Sequence, residues 1–187
     1  MHLQEHYIVR NPSIPEEKHL LTRSSTDFSD CADAHETYHP VFRSLLEKFN
    51  YYDIFWVDSS TGNIVYSVFK ETDFGTSLTT GPYRNANIAR AFYQASQAAG
   101  PGTAHFIDFE PCLPFFNAPA AFISSPIFAD GNQLSALIFQ VPVDCINKVM
   151  TGGAKSSEHG LGDSGKTYLV GPDFTMRSAS RFHLEDP

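Results

Sequence analysis

Two β-rich runs, residues 120–128 and 134–143, stand on either side of Ala129-Asp130-Gly131-Asn132, and this pairing restricts the fold more than any other feature of the chain. Asp-Gly between apolar, β-branched segments is a strong hairpin signal, because tight hairpin turns need positive φ at their central residues. A second pair, residues 51–57 and 64–69, flanks the turn-forming stretch Asp58-Ser59-Ser60-Thr61-Gly62-Asn63. Residues 104–109 read as a further strand. Between the second and third strands, residues 85–99 place Ile88, Ala91, Phe92 and Ala95 at helical spacing, and Gly100-Pro101-Gly102 closes the segment. Sequential hairpins imply an antiparallel sheet of about five strands, and segregated helices place the chain in the α+β class. Helices are expected on one face of that sheet and loops on the other, with room for a pocket beneath the loops.

The flanking segments are less regular. Residues 1–31 are polar and broken by Asn11-Pro12, Pro15 and the run 24–30. Helices are expected over 32–38 and again over 41–49, where Val41, Leu45, Leu46 and Phe49 recur at helical spacing and Pro40 sits in the first turn. After the last hairpin come a short helix over 144–150, a Gly/Ser-rich loop over 151–165 and a final strand over 167–170. The organisation read from this is an N-terminal segment, 1–50, packing on the sheet, a module over 51–178 that holds the sheet, and a polar linker over 179–187.

Composition sets outer bounds. The chain has 187 residues, 42% of them apolar, enough for one domain with a core. A net charge of −8 repels phosphate backbones and anionic lipid heads, so nucleic acid is not expected as a partner. The longest apolar runs, 118–123 and 134–143, fall short of the roughly 20 residues that span a bilayer. No signal peptide is visible after Met1-His2. Cys31, Cys112 and Cys145 make an odd set without a CxxC, so mostly buried thiols are expected rather than a disulfide framework, and a single bridge stays open with no pair selected by the sequence.

Two motifs have catalytic look-alikes. His35-Glu36-Thr37-Tyr38-His39 matches H-E-x-x-H, which in zinc hydrolases sets two ligands one helical turn apart with the Glu as base. Pro40 biases His39 away from helical geometry, so a broken helix and no metal are expected. Residues 160–167 match the phosphate-binding pattern G-x-x-x-x-G-K-[ST]. The segment before it is polar, however, and Thr167 onward reads as strand and turn, so a Gly-rich loop entering a strand fits better than a nucleotide site. No cofactor is expected.

The stretch Tyr51-Tyr52-Asp53-Ile54-Phe55-Trp56-Val57-Asp58, then Thr61-Gly62-Asn63-Ile64-Val65-Tyr66-Ser67 and Lys70-Glu71-Thr72-Asp73-Phe74-Gly75-Thr76-Ser77-Leu78, resembles Cache sensor domains of bacterial methyl-accepting chemotaxis proteins. Gly81-Pro82-Tyr83, Asp108-Phe109, Pro119-Ala120-Ala121-Phe122 and residues 162–173, followed by Met176-Arg177-Ser178, extend the resemblance over nearly the whole chain. It implies a PAS-like sheet, a periplasmic position in a membrane-anchored receptor, a small-molecule ligand on the sheet, and a homodimer among the arrangements open to the receptor. The Arg-x-Trp-Tyr pattern of amino-acid-binding relatives is missing, so the resemblance does not carry an amino-acid ligand with it.

Strand alternation nominates the site. Ile64, Tyr66, Val68 and Lys70 share one face of their strand; Phe106 and Asp108 share one on the third; Phe122 and Ser124 share one on the fourth. Tyr66, Lys70, Asp108, Phe122 and Ser124, with Tyr83 from the loop, supply the aromatic and polar types that a ligand pocket needs. The alternatives are a zinc hydrolase acting through His35, Glu36 and His39, and a structural spacer with no ligand.

Overall fold

The structure is a computed structural model, and it describes residues 2–13, 15–112, 118–152, 164–180 and 182. Met1–Val141 form one compact unit and Pro142–Pro187 another.

The first unit opens with a helical turn, α1 (His2–Gln4), a π-helical turn over Glu5–Val9 and a 3-10 helix over Pro15–Leu20. Helix α2 (Asp30–Phe49) follows and ends at Asn50, which takes the left-handed conformation with φ 55°. Strands β1 (Asp53–Asp58) and β2 (Ile64–Ser67) form the first hairpin. Helix α3 (Asn87–Ser96) comes next, then β3 (His105–Cys112), β4 (Ala118–Ala129) and β5 (Asn132–Pro142). The β4–β5 turn has positive φ at both Asp130 and Gly131, as a tight hairpin requires.

The strands make one sheet in the order β2-β1-β5-β4-β3. The antiparallel α+β sheet expected from the sequence is therefore present. β5 lies between the β1–β2 pair and the β3–β4 pair, and it pairs with β1 from Asp53↔Gln140 to Asp58↔Ser135. The edge strand β2 is shielded: Ile64 N–H donates to Thr76 O at 2.9 Å and Gly75 N–H donates to Ile64 O at 3.0 Å, so the loop after β2 takes up the free edge.

Helices cover both faces of the sheet, which corrects the expectation of helices on one face and loops on the other. Against α3 lie Phe55, Val57, Ala120, Phe122, Ala136 and Ile138, packed with Ile88, Ala91, Phe92 and Ala95. Against α2 lie Ile54, Val68, Leu137 and Phe139, packed with Phe42, Leu45 and Leu46. Neighbouring strand residues such as Ile54 and Phe55 are both fully buried because each feeds a different core. Burying such side chains contributes roughly 1.5–3 kcal/mol each.

Pro40 does not break the N-terminal helix. α2 runs through it as a single element. Pro40 is exposed while His39 beside it is fully buried and hydrogen-bonded, so tertiary packing outweighs the local bias of a residue preceding proline. Cys31, expected to be buried, is an exposed free thiol.

In the second unit, α4 (Val143–Met150) ends with Thr151 Oγ1 donating to Asn147 O at 2.8 Å. Asn147 Oδ1 also accepts from Ala179 N–H at 2.7 Å, tying the last described residues to this helix. The expected strand over 167–170 reduces to one bridge, Val170↔Met176, because Asp173, Thr175 and Arg177 turn the chain back at once. The first half of the Gly-rich motif over 160–167, residues 160–163, lies outside the described residues; Lys166 sits with its ammonium 5.3 Å from the Tyr168 ring centroid.

Candidate binding cavity

Because α2 is unbroken, Cys31, Ala34, His35, Tyr38 and Phe42 fall on one helical stripe. That stripe forms one wall of a cavity of about 410 Å³. Leu3 and Tyr7 close it from the N-terminal turns, Trp56 comes from β1, Val65 and Tyr66 from β2, and Phe74 from the loop beyond. The exposed Tyr38, Val65 and Cys31 stand at its mouth, whereas Tyr7, His35 and Phe74 are buried. No Lys, Arg, Asp or Glu lines it. The rings pack against one another: Tyr7 and His35 centroids are 4.7 Å apart, and those of Phe42 and Tyr66 are 5.1 Å apart.

The hydrogen bonds assign the tautomers of the two histidines. His39 Nε2 lies 2.6 Å from the His19 carbonyl, which can only accept, so Nε2 carries the proton. His39 Nδ1 then accepts from Tyr66 OH at 2.8 Å. His35 Nδ1 donates to the Thr22 carbonyl at 2.5 Å, so its Nε2 is a bare acceptor, and it is buried without a partner. Tyr7 OH is likewise buried and unpartnered. Burial, helped by the neighbouring Lys70, pushes His35 down to about 4 and His39 down to about 3, so both rings are neutral.

This arrangement removes the zinc reading on grounds other than the expected ones. The helix is intact, but both His39 nitrogens are engaged in hydrogen bonds and Glu36 points outward to Arg23 at 2.7 Å. Among the described residues no group of three or more His, Cys, Asp or Glu side chains could hold a metal ion.

A buried polar node lies at the start of β1. Asp53 accepts from Ser67 Oγ at 2.7 Å and from the amides of Ile54, Val68 and Phe69 at 2.6, 2.9 and 3.3 Å. Burial nevertheless raises it to about 6. Lys70 is fully buried at φ 55°, donates to Val68 O at 3.0 Å, and is pulled down to about 7 by burial, with Asp53 opposing. Asp73 is fully buried, and neither carboxylate oxygen accepts a hydrogen bond; the amide of Phe74 is already donated to Glu71 O. Burial first, then Asp53 and Glu71, holds Asp73 well above the usual carboxylate range.

The six residues nominated from strand alternation occupy different places. Tyr66 lines the cavity on the α2 side. Lys70 belongs to the buried node. Tyr83 shares a hydrogen bond with Thr72 Oγ1 at 2.9 Å and packs at the edge of the α3-side core. Asp108 sits in the irregularity between Ile107 and Glu110 and accepts from the Phe109 amide at 2.8 Å. Phe122 is fully buried against Phe55, with ring centroids 6.5 Å apart, and Ser124 Oγ donates to Ala91 O of α3 at 2.7 Å. Tyr66 and the Phe122–Ser124 pair therefore lie on opposite faces of the sheet. Alternation phases residues within a strand but says nothing of how separate strands are phased against each other.

No family model matches the chain, and no curated protein matches it. Solved structures do. The ligand-binding domain of the Pseudomonas aeruginosa amino-acid chemoreceptor PctC, in complex with GABA, superposes with a TM-score of 0.51 at 11% identity, covering 88% of this chain and 61% of that one. The fold is that of a bacterial chemoreceptor sensor domain. The Campylobacter jejuni chemoreceptor Tlp3 ligand-binding domain, in complex with 4-methylisoleucine, also gives 0.51 at 11% identity over 87% of this chain and 58% of that one. The chain thus spans about three fifths of the length of these two domains. The PAS-like expectation for the fold agrees with both.

Proposed function

We propose that this chain is the extracytoplasmic small-molecule sensing module of a membrane-anchored bacterial receptor of the chemoreceptor type, a binding module without catalysis of its own. The observation that carries this reading is the cavity of about 410 Å³, lined mostly by aromatic side chains and set into a fold of the sensor-domain kind. A concave, mostly aromatic space is what small-molecule sites share, and this volume falls within their range of roughly 300–1,000 Å³. Of the residues nominated from sequence, Tyr66 is the one assigned here to contact the ligand, since it lines the cavity. The periplasmic position and the membrane anchor belong to the same proposal. Among the described residues no helix is long and apolar enough to cross a membrane, so in this reading the anchor is supplied by another part of the receptor.

The test is a thermal-shift screen with small metabolites of differing charge. A ligand at about 100 times its Kd adds about 2.7 kcal/mol, which for a chain of this size raises Tm by roughly 5–10 °C. A folded protein that no small molecule stabilises would leave the spacer reading in its place.

A further inference from the structure

The loop after β2 ties the cavity to the buried acids. Lys70, at φ 55°, turns the chain out of the hairpin, and its amide donates to Ser67 Oγ at 2.9 Å. Residues 71–78 then return along the β2 edge. They are held there by the two bonds to Ile64, by Leu78 N–H donating to Gly62 O at 2.8 Å, and by the bridge Asn63↔Ser77. Phe74, in the middle of this strap, is a wall of the cavity, and Glu71 and Asp73 stand just before it. Phe74 and Leu78 are buried, so packing holds the strap closed and the acids set how tightly.

Hydrogen-bond donors rank the three acids. Asp53 has Ser67 Oγ and three amides to support its anion. Glu71 has Tyr52 OH at 3.0 Å on one oxygen, and its other oxygen is buried without a donor. Asp73 has no donor on either oxygen. A buried carboxylate without donors is far costlier as an anion than as an acid, so Asp53 ionises first and Asp73 last. Burial, the leading cause in each, raises Asp53 to about 6 and Glu71 to about 7, and it holds Asp73 well above the usual carboxylate range. Neighbouring cations do not offset this. Lys70 is itself brought down to about 7 by burial and by Arg43 of α2, and Lys18 of the 3-10 helix favours ionised Glu71 less than burial opposes it. His35 and His39 of α2 are neutral, Tyr52 and Tyr66 are pushed up by burial and keep their protons, and His19 packs its ring 4.7 Å from that of Phe69. From about pH 6 to above 7 the cluster therefore passes from net positive to net negative.

We propose that residues 71–78 are a proton-controlled strap on the cavity: while Glu71 and Asp73 are protonated it lies against β2 with Phe74 in the cavity wall, and their ionisation loosens it, so the wall opens as pH rises. This rests on the sensing function proposed above and adds its regulation.

Amide hydrogen exchange between pH 6 and 8, corrected for its intrinsic acceleration by base, tests the strap without any ligand. A carboxyl raised in the closed state stabilises closure at low pH and loses that contribution as pH rises through its raised value. Glu71, at about 7 in the closed strap and at its ordinary 4.5 in the open one, gives by itself about a 10-fold loss of protection at Ile64, Gly75 and Leu78 over this range, and Asp73 adds to it. These amides should exchange faster than those joining β1 to β5 at every pH, which marks a local opening. Glu71→Gln should reduce the pH dependence, and Glu71→Gln with Asp73→Asn should remove it; a merely structural role would lower protection equally at both ends of the range. Trp56 is the sole tryptophan and lines the cavity, so quenching of its emission by acrylamide should rise from pH 6 to 8 and stay level in the double variant. Protection that does not fall with pH, or strap amides that exchange only together with those of β1 and β5, would overturn the strap. A pH dependence that survives the double variant would overturn the role of the acids, and loosened amides with unchanged quenching would overturn the link to the cavity. Each of these failures leaves the sensing function standing, because the ligand screen decides that separately.

Discussion

Replacing His35 by Phe should stabilise the domain in acid and destabilise it in base, with the two curves crossing near pH 6. His35 is pushed from 6.5 down to about 4 by burial, so between those values the unfolded chain binds a proton that the folded protein refuses. For a base with a depressed folded pKa, its neutral burial costs nothing above about pH 6.5, and stability is lost as pH falls below that. At pH 5 the loss from His35 is about 2 kcal/mol, from 1.36 kcal/mol per pH unit over about 1.5 units. Phe keeps the ring stacked on His39, whose centroid is 4.4 Å away at 20°, and does not titrate. It forfeits the bond to Thr22 O, worth about 1 kcal/mol. The variant should therefore be about 1 kcal/mol less stable at pH 7.5 and about 1 kcal/mol more stable at pH 5. Urea unfolding of both proteins, followed by Trp56 fluorescence across pH 5–7.5, measures the difference directly. The variant comparison matters because Asp53, Glu71 and Asp73, all raised by burial, pull the wild-type curve the opposite way. A difference that stays constant with pH would mean that His35 titrates normally in the folded state, and the argument from burial would fail.

Three further outcomes follow from named contacts. Asp53→Ala leaves Ser67 Oγ and the amides of Val68 and Phe69 without their acceptor, so a loss of at least about 4 kcal/mol is expected in chemical denaturation; a loss under about 1 kcal/mol would refute the role of the node. Lys70→Met should flatten the alkaline limb of the stability curve. Lys70 is held down at about 7, so the wild type gains stability as pH rises from there towards 10.5, and unchanged slopes would show that the ammonium is not buried. Phe122→Ala should cost roughly 3–5 kcal/mol and Ser124→Ala about 1 kcal/mol by thermal melting, because the first opens a cavity between sheet and α3 while the second removes one hydrogen bond.

Much of the sheet was legible because its signals are local. Asp130-Gly131 demanded a turn of positive φ, and Ile88, Ala91, Phe92 and Ala95 marked a helix by spacing alone. The site was less legible, for two physical reasons. Pro40 marks a local break in the sequence, whereas in the structure it is exposed and α2 runs through it, and only the unbroken helix aligns Cys31, Ala34, His35, Tyr38 and Phe42 in one stripe. The irregularity between Trp56 and Val57 also shifts β2 against β1, so Ile64 packs on the α3 side while Tyr66 faces α2. A bulge of that kind breaks strict alternation and leaves no mark in composition.

The central seat of β5 has a consequence for how the protein is made. β1 must wait for β5, and Asp53 meets its cross-strand neighbour Gln140 only after nearly all of the first unit has left the ribosome. Until then the nascent chain holds β1–β2 and β3–β4 as two separate pairs whose facing edges are open. Closing so distant a pairing is slow, and open strand edges recruit other chains in the meantime. A fragment ending at Ala129 would keep β1 and β4 yet lack the strand that joins them, so aggregation is expected of it rather than a smaller folded unit.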